Sequence, residues 1–132
     1  MIGTVVVTHD NIAVEMVSTV KRIVPDAKGV VAVAISSDDP VETNRQKIAA
    51  AIKEVDTGEG VLLMTDMFGG TPSNICLSFL EDKNIEVISG LNLPMLINLV
   101  SNASGLPFAE LAEFIQNYGQ KNIVIASHVL KK

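Results

Sequence analysis

The chain has little of several things that proteins use to hold themselves together or to find a partner. One cysteine, Cys76, stands among 132 residues, so neither an internal disulfide nor a cysteine zinc site is available. There is no Trp, and aromatic residues make up 4% of the chain against 48% hydrophobic overall. The core must then be built from Val, Ile, Leu, Ala and Met, the composition of parallel strands covered on both faces. Basic residues are outnumbered, 10 against 15 acidic, and the net charge of −5 argues against nucleic acid or an anionic membrane as partner. No apolar run reaches the roughly 18–20 residues that span a bilayer. The first residues lack the basic region and cleavage site of a signal peptide, so a cytoplasmic location is expected.

What is present alternates strand and helix. A β-branched run from Ile2 to Thr8 ends at His9-Asp10-Asn11, where Asp10 or Asn11 can cap a helix carrying Ile12, Met16, Val20, Ile23 and Val24. Gly29 to Ile35 reads as a second strand, followed by the turn Ser36-Ser37-Asp38-Asp39-Pro40 and a helix from Val41 to Val55. The two aspartates there read as caps. Val61 to Thr65 is a third strand, and Thr71-Pro72 begins a helix that runs to about Leu80. Glu86 to Ser89 lies in a fourth strand. Asn92-Leu93-Pro94 leads into a short helix through Val100; Ser104-Gly105-Leu106-Pro107 separates it from a helix at Phe108 to Tyr118, and Asn122 to Ser127 reads as a last strand. The pattern predicts one α/β domain over residues 1–132, with a mostly parallel sheet and helices on both faces.

In such sheets reactive groups collect at the carboxyl ends of the strands. Strand one ends in Thr8-His9-Asp10, strand three in Thr65-Asp66 and then Gly69-Gly70-Thr71, and strand four in Gly90-Leu91-Asn92. A neutral imidazole with a free lone pair is a nucleophile at physiological pH. A carboxylate on its other nitrogen fixes the tautomer, and Asp66 is the natural candidate because strand three often neighbours strand one. Two glycines let backbone approach a ligand closely, and a helix starting near Thr71 directs N–H groups outward, with Thr71 or Ser73 adding a hydroxyl. Gly-Gly before a helix is also common as a plain turn. The segment fits neither the P-loop nor G-x-G-x-x-G, so phosphate without a bound nucleotide is the expected ligand. Two histidines without clustered carboxylates make no metal site. His128 reads as a surface histidine, Cys76 as a buried inert thiol, and Met67-Phe68 as exposed residues beside the glycines that can meet a partner.

The whole chain resembles the IIA component of the mannose family of the bacterial phosphoenolpyruvate-dependent sugar phosphotransferase system. The resemblance rests on Val7-Thr8-His9, on the run from Thr65 through Asp66-Met67-Phe68-Gly69-Gly70-Thr71-Pro72-Ser73-Asn74, and on Gly90-Leu91-Asn92-Leu93-Pro94-Met95. It implies that His9 is phosphorylated on Nε2, that Asp66 holds Nδ1, and that Thr71 and nearby amides steady the phosphoryl group. Gly69, Gly70 and Ser73 complete the expected phosphate contacts. It also implies a sheet of four parallel strands, with a C-terminal strand (Ile123 to Ser127) contributed across a homodimer. No cofactor is expected, the phosphoryl group being carried covalently. The implied donor is HPr and the acceptor a separate IIB protein, with indirect association with membrane IIC and IID components. No fused IIB domain is expected, because the sequence stops at Lys132. Three alternatives stay open: a regulatory phosphoprotein without a transporter, a phosphoryl donor to dihydroxyacetone kinase, and a receiver-like domain phosphorylated on aspartate.

Overall fold

A computed structural model describes residues 1–101 and 105–130. Ser104, the first residue of one expected turn, and the C-terminal Lys132 lie outside the described residues. Four strands, β1 (Gly3–His9), β2 (Val30–Ile35), β3 (Val61–Thr65) and β4 (Ile85–Ser89), form one sheet in the order β2-β1-β3-β4, and every pairing is parallel. Helices α1 (Ile12–Ile23), α2 (Val41–Val55), α3 (Thr71–Leu77), α4 (Leu93–Val100), α5 (Phe108–Lys121) and α6 (Ala126–Leu130) complete the described elements.

Strand alternation sorts the core into two layers. Val5 and Val7 of β1, with Leu63 and Ile85, pack against Ile48, Ile52 and Val55 of α2 and against Ile75 and Cys76 of α3. Val6, Leu62, Met64 and Ile88 point the other way, toward Val17 and Val20 of α1, Leu96 of α4 and Ile115 of α5. Central strands buried on both faces explain why β1 and β3 read as unbroken aliphatic runs. On α1 the buried stripe is Ala13, Val17 and Val20, whereas Ile12 and Ile23, expected on the apolar face, are exposed.

Three expectations about segment ends are corrected. Neither Asp10 nor Asn11 caps α1: Asp10 sits in the left-handed region at φ 47°, gives its N–H to the Ile35 carbonyl, and Asn11 makes no side-chain cap bond. The cap comes from inside the strand, where Thr8 Oγ1 accepts the Ala13 N–H at 2.7 Å. Helix α3 stops at Leu77 and continues as tight turns, with Phe79 and Leu80 bonding back three residues. The expected strand Asn122 to Ser127 is not a strand in the single chain: residues 123–125 carry no regular structure, and Ala126–Leu130 is a short helix. The sheet within this chain ends at β4, and residues 123–125 are not paired with it; an apolar segment with no strand beside it cannot form a ladder.

The Thr8 cap yields the first prediction. Thr8 is fully buried, as is Ala13, and Thr8→Val keeps the shape while orphaning the Ala13 N–H. Urea unfolding should show a loss of about 1–3 kcal/mol with an unchanged m-value. A midpoint equal to that of the wild type would show that α1 starts without this cap.

Candidate active site

The sheet order places β3 directly beside β1, with Val7 opposite Thr65, so the residues just beyond are brought together. His9 is the last residue of β1, and Asp66 is the first residue after β3. Asp66 Oδ2 accepts two bonds from His9: the backbone N–H at 3.0 Å and ring Nδ1 at 2.8 Å. Oδ1 takes the Met67 N–H at 3.1 Å. An ionised carboxylate can only accept, so Nδ1 carries the proton and Nε2 keeps the free lone pair. The Asp66 side chain is 15% exposed and that of His9 42%, so the carboxylate braces the ring from within and the ring stays open to solvent.

Burial by itself would raise the Asp66 pKa, but the bonds from the His9 ring and backbone, with the attraction of its charge, hold it below the ordinary 3.8. A folded pKa below the unfolded one contributes stability in full above the unfolded value and loses it as pH falls through the folded value.

The anion loop follows. Gly69 has φ 88°, which glycine adopts without strain. Gly70 has ordinary extended backbone, and its glycine is required for a different reason. A Cβ there would lie 2.6 Å from His9 Cε1 and 3.2 Å from Nε2. The main chain thus rests against the edge of the imidazole that carries the free lone pair. Gly70 is the N-cap of α3, and Thr71 is the first residue of the helix. Pro72 in the first turn has no N–H to leave unpaired, and the N–H groups of the first turn have no helical carbonyl behind them. Thr71 is exposed, and its hydroxyl has no hydrogen-bond partner among the described residues. Met67 and Phe68 stand out from the loop, Phe68 at 74% exposure.

Ser73 is corrected. It is fully buried, and its Oγ lies 3.2 Å from Ser89 Oγ, so its hydroxyl is turned into the fold and away from the rim. The third motif also plays a supporting part. Gly90 and Leu91 both donate their N–H to the Thr65 carbonyl, while Asn92 caps α4 by accepting the Met95 N–H and reaches the Gly119 carbonyl at 3.1 Å. Asp38 and Asp39 are not caps either: the N-cap of α2 is Pro40, with no side-chain cap bond, and Asp39 pairs with Lys47 at 3.1 Å. His128 is exposed on α6. Cys76 is buried, and burial pushes its thiol up to about 12. No group of three metal-ligating side chains occurs among the described residues, and no described helix is long and apolar enough to cross a membrane.

The missed residues are hydroxyls. Thr8, Thr65 and Ser89 read in sequence only as strand ends. Their signal was parity, because Thr65 and Ser89 are register partners and so face the same layer.

Fold and site together define a parallel α/β domain with a histidine–aspartate pair at its carboxyl rim, next to a glycine loop at a helix start. The family model described as the PTS system fructose IIA component matches residues 3–116, and the chain belongs to that family, the mannose-type IIA components of the sugar phosphotransferase system. The fructose-specific EIIA component of Bacillus subtilis (strain 168) is 26% identical over the whole chain and 91% of that relative's length. The mannose-specific EIIAB component of Escherichia coli (strain K12) is 29% identical over 92% of this chain, which spans 38% of that longer protein. Among solved structures, the mannose/sorbose-specific IIA subunit from Enterococcus faecalis superposes with a TM-score of 0.82 at 26% identity, covering 93% of this chain and 92% of that one. The component EIIA from Streptococcus agalactiae gives 0.83 at 27% identity, covering 97% and 99%.

Two predictions follow from this geometry. The stability advantage of wild type over Asp66→Asn should be full above about pH 5 and shrink as pH falls through about pH 4 and below, read from urea midpoints. A constant difference across that range would remove the ionised carboxylate from the fold's energetics. Gly70→Ala should displace the His9 ring while leaving the far-UV spectrum intact, and the histidine ring ¹⁵N resonances should report it. Gly69→Ala, where nothing lies within 4 Å of the added methyl, should leave the ring in place and cost about 1–3 kcal/mol of backbone strain.

Proposed function

We propose that this chain is a phosphoryl carrier in which His9 Nε2 takes a phosphoryl group from phosphohistidine HPr and passes it to a IIB protein for sugar uptake. The observation that carries the reading is the 2.8 Å bond between His9 Nδ1 and Asp66, which leaves Nε2 as the nucleophile at the exposed rim.

In the step proposed, the Nε2 lone pair attacks phosphorus in line. The bond to the donor's imidazole nitrogen breaks, and that nitrogen keeps the electron pair. The His9 ring, still protonated at Nδ1, gains positive character as the new P–N bond forms, and the adjacent carboxylate stabilises it. Asp66 needs no proton of its own. Its work is to hold tautomer, ring orientation and charge. The main chain at Gly70 and the free Thr71 hydroxyl are available to the equatorial oxygens. Catalysis is then mostly placement and electrostatics, as in other phosphoryl transfers. The exposed apolar side chains of Met67 and Phe68, on the loop between Asp66 and Gly70, suit a transient protein–protein contact that excludes water during transfer.

Incubation with labelled phosphoenolpyruvate, enzyme I and HPr should label the wild type through an acid-labile bond. Label that survives His9→Ala sinks the assignment. Asp66→Asn should slow labelling by roughly 10²-fold or more, because the wrong tautomer then becomes accessible; a wild-type rate would take Asp66 out of the mechanism.

We also infer a homodimer. In the single chain β4 is an edge strand bordered by Ala112, Glu113 and Gln116, while Ile123, Val124 and Ile125 are exposed at 76%, 61% and 61%. A short apolar segment and an open parallel edge have complementary needs. Light scattering should give twice the chain mass, and Ile123→Asp with Ile125→Asp should give a folded monomer. A wild-type monomer at micromolar concentration would refute the pairing.

A further inference from the structure

We propose that Ser89, which belongs to none of the rim groups that touch His9, is a positioning residue for phosphoryl transfer, joining the Asp66 side of the site to its anion loop. The inference rests on His9 being the phosphoryl acceptor. It arises from three hydroxyls beneath the rim. Thr65 Oγ1 donates to Ser89 Oγ at 2.6 Å, and Ser89 Oγ lies 3.2 Å from Ser73 Oγ. Thr65 and Ser73 are both fully buried, and Ser89 is half-buried.

Each end of this chain of hydroxyls sits next to a working part. Thr65 immediately precedes Asp66, whose carboxylate sets the ring. Ser73 lies in the first turn of α3, whose N-cap Gly70 presses on the ring edge. Ser89, on β4, makes no hydrogen bond to His9 or Asp66, yet its oxygen is bonded to both supports. A hydroxyl offers one proton and two lone-pair sites, so Ser89 can accept from Thr65 and give its own proton to Ser73. The next two residues reinforce the same point, because Gly90 and Leu91 donate their N–H groups to the Thr65 carbonyl at 3.0 and 3.1 Å. Thr65 is therefore fixed by β4 through both its main chain and its side chain. Helix α3 is only two turns long; Ile75 and Cys76 seat its second turn in the core, and in its first turn, beside the buried Pro72, Ser73 is the residue whose side chain bonds to the sheet. With a hypothetical Cβ of Gly70 only 2.6 Å from the imidazole, a small slide of α3 changes how the ring and loop meet.

Removing the hydroxyl should therefore loosen the geometry of transfer without altering the surface that meets the donor. In steady-state phosphorylation by phospho-HPr, Ser89→Ala should lower kcat about tenfold to hundredfold and leave KM within about twofold. Ser89→Thr, which restores the hydroxyl, should recover most of the loss. Ring ¹⁵N spectra of unphosphorylated protein should show the His9 Nδ1–H signal weakened or exchanging faster in Ser89→Ala and restored in Ser89→Thr. If Ser89→Ala does not fold, Ser73→Ala cuts the same link at its other end and should reproduce the kcat loss. An unchanged kcat overturns the proposal. So does a loss that merely follows the folded fraction, or that appears in KM alone. Should the wild type take no label at His9, the carrier reading fails by itself, and the ring spectra decide the positioning role: an unaltered Nδ1–H signal in Ser89→Ala refutes it.

Discussion

Everything at the rim depends on one contact, the 2.8 Å bond between His9 Nδ1 and Asp66 Oδ2. It joins residues 57 apart in sequence, and no local turn could make it. The contact exists because β1 and β3 are neighbours in a parallel sheet, so their carboxyl ends arrive at the same edge, with Val7 opposite Thr65. The same carboxylate oxygen also takes the His9 backbone N–H, which fixes the histidine's main chain as well as its ring. A side chain whose backbone and ring are held by a single acceptor has little freedom left, and its second nitrogen is thereby aimed.

Around this bond the chain uses glycine in two physically distinct ways. Gly69 supplies a left-handed turn, and Gly70, whose backbone is ordinary, supplies the absence of a side chain where the imidazole must fit. Asp10 shows the contrast on the other side of the histidine. It adopts φ 47° without being glycine, a conformation that Asp tolerates better than most residues, and it allows β1 to turn sharply into α1. The buried Thr8 cap then takes over the role that an exposed aspartate usually plays. The result is a histidine flanked by two tight turns, with its strand anchored in a core of aliphatic side chains on both faces.

Much of this was legible in the sequence. The aliphatic runs of β1 and β3 read correctly because strands buried on both faces leave no polar alternation to misread. His9 and Asp66 were legible because a parallel sheet sends its strand ends to one edge, and Gly69-Gly70 because both reasons for glycine leave the same letter. Other features were hidden for equally physical reasons. Ser73 looked like a rim hydroxyl because sequence shows which turn a residue occupies and not which side of a two-turn helix faces inward. The segment from 122 to 127 has strand composition, but strand formation needs a neighbour, and β-branched residues outside a ladder take whatever local structure remains. On α1, Ile12 and Ile23 are as apolar as Val17 and Val20, so periodicity alone could not tell the stripe that packs from the residues beside it.

The hydroxyl pairing beneath the rim was the least legible feature, and it shows where sequence patterning reaches its limit. Thr65 and Ser89 end two adjacent strands, and serine or threonine at a strand end is ordinarily a turn residue with water for a partner. Parallel register changes that. It sets the two residues opposite each other on one face, beneath a helix whose first turn brings a third hydroxyl down onto them. Two fully buried hydroxyls, each costly alone in a dry interior, are satisfied through the half-buried Ser89 between them, and the arrangement is possible only in the assembled sheet. The motif Gly90-Leu91-Asn92 gains its meaning in the same way. It contributes no group to the histidine and instead holds Thr65 and the α4–α5 corner, so the residues that carry the chemistry can be few because those that hold them are many.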